Sequence, residues 1–246
     1  MNCYCYETDL AFVFCIEDVN NAQTESDVSH MAWVKNGDKF LMAFPLDVFS
    51  NPSEKALTGG NFSRLGQAMF TSPNNFDWKK PLTALARTFN ENGIEWYIVG
   101  SVGDALRGVD IKPFDIDIVV HTKDFFRVKD ICYVNFPDAV VAPFVKKQDG
   151  HPLYPYSFQS PMTYFGRLFL EGAMIDVAGD AVWDMESRRE KFGKFTCPVS
   201  GYEKFSWNGF DLYVESIQLR YEIEIMRNRK ERIRAFEKYM HINPDC

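Results

Sequence analysis

The chain has 246 residues, of which 46% are hydrophobic and 15% aromatic, and its 22 phenylalanines exclude a disordered chain and supply one large core or two small ones. A net charge of −7 argues against a broad nucleic-acid surface, and no apolar run reaches the ~18 residues of a membrane span. The acidic start lacks the basic segment of a signal peptide, so the expected location is the cytoplasm.

Residues 1–76 read as a β-rich section packed beside the rest of the chain. Residues 4–16 alternate in polarity and predict one strand. Residues 31–44 predict a hairpin that turns at Asn36-Gly37-Asp38, because Asn-Gly between apolar runs is a tight-turn signal. Residues 45–75 are rich in Gly, Asn, Ser and Pro and read as loops around one short helix. The cysteines at 3, 5, 15, 132, 197 and 246 lack the Cys-x-x-Cys spacing of a zinc site and read as reduced thiols.

Residues 80–91 predict a helix with Leu82, Leu85, Ala86 and Phe89 on one face, ended by Gly93. A strand over 95–99 follows, then Gly100-Ser101 and a short helix that carries Arg107. A bend of small residues ahead of a helix lets backbone amides approach phosphate oxygens, and Arg107 is within reach of such a phosphate. Next comes Phe114-Asp115-Ile116-Asp117-Ile118. Along a strand, Asp115 and Asp117 share one face while the isoleucines point to the core. Two carboxylates ~4 Å apart repel by roughly 4 kcal/mol at an effective dielectric near 20. A fold keeps such a pair most readily around a divalent cation, and Mg²⁺ takes oxygen ligands together with substrate phosphates.

A helix is expected over 121–133, and mostly turns and short strands over 137–161. There Tyr154, Tyr156, Phe158 and Tyr164 offer either ring stacking or ordinary packing, and His151 reads as a surface-loop residue. The segment between Gly172 and Gly179 predicts a short strand carrying Asp176, with Asp180 in the turn behind it. Arg188, Arg189 and Lys191 form a basic cluster. A long helical section is expected from Leu212 to Met240. Its Arg227, Arg229, Lys230, Arg232 and Arg234 form either a solvated face or a basic wall for phosphates.

The run Val99-Gly100-Ser101-Val-Gly-Asp-Ala-Leu-Arg107-Gly, followed by Asp115-Ile-Asp117-Ile, resembles the DNA polymerase beta-like nucleotidyltransferases. The wording is most similar to the lincosamide-type, CCA-adding and minimal branches. The resemblance spans residues 82–120 and extends more faintly to Asp176. It departs from the CCA-adding branch at Gly103-Asp104, where that branch has Arg-Asp, and Ser101 stands in place of a second glycine. It implies an α/β (α+β) fold over 77–246, with a mixed, mainly antiparallel sheet flanked by helices. It also implies that Gly100 and Ser101 seat a nucleoside triphosphate, with Arg107 as a further phosphate contact. Asp115, Asp117 and the third carboxylate, Asp176, would hold two Mg²⁺ ions. Asp180 is the reserve for the third position. The implied reaction moves a nucleoside monophosphate to an acceptor hydroxyl and releases pyrophosphate. A small, cationic, antibiotic-like acceptor suits the acidic charge. The alternatives are a tRNA or protein acceptor, as in toxin-type relatives, and an inactive nucleotide-binding module.

Overall fold

The computed structural model describes residues 1–30, 33–71, 77–146, 164–179 and 202–241. Its first sheet is antiparallel throughout and is built from β1 (Asn2–Glu7), β2 (Ala11–Glu17), β3 (Val34–Asn36) and β4 (Lys39–Pro45), in the order β1-β2-β4-β3. Residues 4–16 are therefore two strands and not one. Thr8 makes the break: its hydroxyl accepts from the Leu10 and Ala11 amides, and its own amide donates to the Ala11 carbonyl. The turn at residues 36–38 is present between β3 and β4, with Gly37 at φ 63°.

Two helices flank this sheet, α1 (Ala22–His30) and α2 (Pro52–Thr71). The 20 residues of α2 replace the expected loops around one short helix. Its glycines misled the reading, since a helix-interior glycine costs about 1 kcal/mol against alanine. The structure gives the reason at Gly66, where a Cβ would lie 2.5 Å from the Cys3 Cβ. Only a bare backbone lets α2 lie this close to β1.

The second sheet holds β5 (Trp96–Val99), β6 (Ile116–Val120), β7 (Val140–Lys146), β8 (Tyr164–Leu170), β9 (Ala173–Ala178), β10 (Tyr202–Trp207) and β11 (Phe210–Glu215). Their order is β10-β11-β5-β6-β9-β8-β7. The β11·β5 and β6·β9 pairs are parallel and the others antiparallel, which gives the mixed, mainly antiparallel α+β arrangement expected from the sequence. The helices are α3 (Lys79–Glu91), α4 (Ser101–Arg107), α5 (Phe125–Asn135), α6 (Ile217–Met226) and α7 (Lys230–Met240). The expected helix from Leu212 is corrected here. Residue 212 lies in β11, and Asn228, at φ 52°, separates α6 from α7.

One face of the large sheet is apolar. Ile98, Ile116, Ile118, Val177 and Val214 pack there with Leu82, Leu85 and Phe89 of α3 and Phe125 of α5. A second core joins the two sheets, with Phe12, Phe14 and Phe62 against Val140, Phe169 and Met174. Polar side chains of α2 finish this junction. Thr58 donates to the Val141 carbonyl at 2.9 Å, and Asn61 donates to the Pro137 and Ala139 carbonyls at 2.8 and 2.7 Å. These bonds satisfy a carbonyl of β7 and two of the residues leading into it, at a sheet edge that would otherwise invite pairing. Among the described residues no helix is long and apolar enough to cross a membrane.

Candidate active site

The face of the large sheet opposite α3 and α5 carries the polar residues. Strand register sets them in a row. Tyr202 pairs with Glu215, and the parallel pairing of Val214 with Ile98 brings Glu215 beside Val99. Val99 pairs with Asp117, Asp117 with Asp176, and Asp176 with Arg167. Asp115 immediately precedes β6. One carboxylate oxygen from each of Asp115, Asp117 and Asp176 lies within 4.8 Å of the others. Residues 59 positions apart in sequence thus meet because β6 and β9 are parallel neighbours.

The electrostatics of this trio follow from crowding and partial burial. Burial, followed by repulsion from Asp176, pushes the Asp115 carboxyl up to about 6, against the pull of Arg167 and Arg232. Asp117 is likewise raised well above the ordinary range, first by burial and then by Asp115 and Asp176. Three hard oxygen donors at this spacing fit Mg²⁺ or Mn²⁺, whose charge offsets the repulsion that raises both groups.

Gly100 adjoins the trio. Its φ of 72° and ψ of −155° belong to a region that is essentially glycine-only. A Cβ there would sit 2.8 Å from Asp117 Oδ2. The Gly100 amide donates to Glu215 Oε2 at 3.0 Å, and Ser101, 5% exposed, begins α4. Arg107, expected as a further phosphate contact, has protein partners. Its guanidinium donates to Glu203 Oε2 at 2.9 Å and to the Glu215 carbonyl, so it ties α4 to the β10–β11 hairpin.

Three neighbours of the trio, Arg167, Arg220 and Glu215, went unread in the sequence. Arg167, 8% exposed, forks onto Asp176: Nε donates to Oδ1 at 2.6 Å and Nη2 to Oδ2 at 2.8 Å. Arg220 forks onto buried Asp104 of α4 and also meets Glu224 at 2.8 Å. The third, Glu215, is 2% exposed. No local sequence pattern marks these residues, because each acts across strands or helices distant in the chain. Three tyrosines also gather on the polar face, Tyr97 with ring centroids 4.6 Å from Tyr202 and 5.4 Å from Tyr213. Asp180, His151, Tyr154, Tyr156, Phe158 and the 188–191 basic cluster lie outside the described residues.

No protein-family profile and no curated protein sequence matches the chain. Solved structures similar to it are those of nucleotidyltransferases. One, from Thermotoga maritima and described as a nucleotidyltransferase, is 19% identical with a TM-score of 0.40, over 69% of this chain and 98% of that one. The lincosamide antibiotic adenylyltransferase LnuA, bound to lincomycin, is 12% identical with a TM-score of 0.41, over 66% of this chain and 98% of its own. ANT(2'')-Ia, in complex with adenylyl-2''-tobramycin, is 10% identical with a TM-score of 0.41, over 65% of this chain and 88% of its own.

Proposed function

We propose that the protein is a divalent-metal-dependent nucleotidyltransferase that moves a nucleoside monophosphate from an NTP to the hydroxyl of a small acceptor and releases pyrophosphate. The observation that carries this reading is the convergence of Asp115, Asp117 and Asp176 within 4.8 Å beside the strained bend at Gly100. Mg²⁺, as one ion or two, held by these carboxylates, would neutralise triphosphate charge and favour an in-line displacement.

The chain's own residues divide the remaining tasks. The Gly100 amide is used by Glu215. Phosphate seating therefore falls to Ser101 and the amides after it, which as the first residues of a helix have no carbonyl four positions back to bond. Gly100 contributes shape, because any side chain would displace Asp117. Arg107 and Arg220 brace α4 from behind. Asp176, with both oxygens on Arg167, serves as a fixed ligand in preference to a proton acceptor. The tyrosine group, on the same face as the trio, offers aromatic surface for an acceptor.

The net charge of −7 favours a cationic acceptor over a polyanion. The basic α6–α7 junction does not overturn this, since Arg229 and Arg232 both lie against the buried Glu224 carboxylate, at 2.8 and 3.7 Å. We assign the reaction to the cytoplasm, where NTPs are made.

The test is pyrophosphate release from each NTP with Mg²⁺ over a panel of aminoglycosides, lincosamides, tRNA and proteins. Mass spectrometry would identify the acceptor that gains a nucleotide. The Asp115→Asn/Asp117→Asn double variant is expected to lose release by at least about a thousandfold while keeping its circular dichroism. Undiminished turnover in that variant refutes the assignment.

A further inference from the structure

The acid trio has a cation in direct contact with it, and that cation belongs to the protein. Arg167 uses two nitrogens of its planar fork on the two oxygens of Asp176, at 2.6 and 2.8 Å. The pairing is fixed by register, since residues 167 and 176 are cross-strand partners on β8 and β9. Arg167 is 8% exposed, so water screens the guanidinium little. Its charge is also felt by Asp115 and Asp117.

A divalent ion gripped by the trio would therefore sit close to a fixed positive charge. The two cations repel, and both draw on the same carboxylate. We propose that Arg167 is a built-in rival of the metal: it holds Asp176 in the ion-free site and raises the metal concentration at which the trio fills. This inference rests on the reading of the trio as a metal site.

A consequence for the order of binding follows. A triphosphate brings negative charge that relieves the repulsion between the guanidinium and the ion. Metal affinity should then be low without nucleotide and rise when nucleotide arrives, which keeps the site from filling with metal alone. A passive orienting role for Arg167 predicts the opposite sign. Loss of a residue that merely aims a metal ligand weakens metal binding, typically by 10–100-fold.

The experiment measures Mn²⁺ binding by electron paramagnetic resonance on the full chain, with and without a non-hydrolysable NTP analogue. Wild type is compared with Arg167→Gln, and with Arg167→Lys, which keeps the charge but loses the fork. The expected result is Mn²⁺ binding about tenfold tighter in Arg167→Gln without nucleotide, a smaller gain on adding the analogue than in wild type, and an intermediate position for Arg167→Lys. Equal or weaker Mn²⁺ binding in a folded Arg167→Gln overturns the rivalry. If Arg167→Gln does not fold, Arg167→Lys is compared alone, and binding no tighter than wild type overturns it likewise. Failure of every protein to bind Mn²⁺, with or without nucleotide, overturns the metal site itself and this inference with it. Binding that is unchanged by Arg167→Gln but lost in Asp117→Asn spares the metal site and overturns only the rivalry.

Discussion

Asp115 shows most directly how the site's chemistry depends on its neighbours. Its carboxyl is pushed up to about 6, chiefly by burial and then by Asp176. A carboxyl raised on folding contributes stability that is complete below its unfolded value and lost as pH rises through its folded one. For Asp115 that window runs from near 4 to about 6. Two pH units correspond to ~3 kcal/mol in all, of which about 1 kcal/mol falls between pH 5 and pH 7.5. In chelator-treated protein, Asp115→Asn should therefore gain about 1 kcal/mol on wild type over that interval, read by urea denaturation. A gap that stays constant or narrows contradicts the assigned environment. Asp115, Asp117 and Gly100 were legible in sequence because their signals are local: an alternation of period two, and a glycine at a strand–helix turn. Arg167 and Glu215 were not, because their roles come from cross-strand register, which the residues next to them in sequence do not specify.

Helix α4 is held at its place by charged groups far from it in sequence. Asp104, fully buried, takes the Arg220 fork of α6 at 2.9–3.3 Å, and Arg220 also meets Glu224, likewise fully buried. Removing one partner of a buried ion pair leaves an uncompensated charge and costs about 3–5 kcal/mol. Arg220→Met should fall in that range by thermal or urea unfolding. A loss under about 1 kcal/mol would mean that water already reaches the network. The partner helix α6 was foreseen, but with the wrong start. The missed signal was Asn208-Gly209 between Phe205-Ser-Trp207 and Phe210-Asp-Leu212, an Asn-Gly turn of the kind that marked residues 36–38. It makes the β10–β11 hairpin and moves the helix start to Ile217, with the Ser216 hydroxyl accepting from the Leu219 amide as its cap. The glycine-bearing α2, which opens on Pro52, escaped for another reason. Its Gly66 serves close packing on β1, which no local propensity reports.

At the scale of the whole molecule, residues 1–71 pack against the β7–β9 end of the large sheet. Phe12, Phe14 and Phe62 share a core with Val140, Phe169 and Met174, and Lys129 of α5, 4% exposed, bonds Ser50 and meets Glu54 of α2 at 3.2 Å. We expect a chain lacking residues 1–71 to bare this apolar face and the edge of β7, and so to aggregate or stay unfolded. A soluble truncated chain with native circular dichroism and wild-type thermal midpoint would show the junction to be dispensable. The composition announced a sizeable core, but the joining of two sheets through it depends on the faces that β7, β8 and β9 present, and so on the complete topology.

The hydrogen bond from Gly100 to Glu215 closes a span of 115 residues. During synthesis the N-terminal part emerges first. The acids at 115, 117 and 176 all leave the ribosome before the carboxylate that braces the bend beside them. Contacts of such long range form slowly, because the loop between their ends must close first. The site therefore cannot be finished before residue 215 has emerged, and a chain interrupted before that residue would carry its acids without the clasp that shapes them.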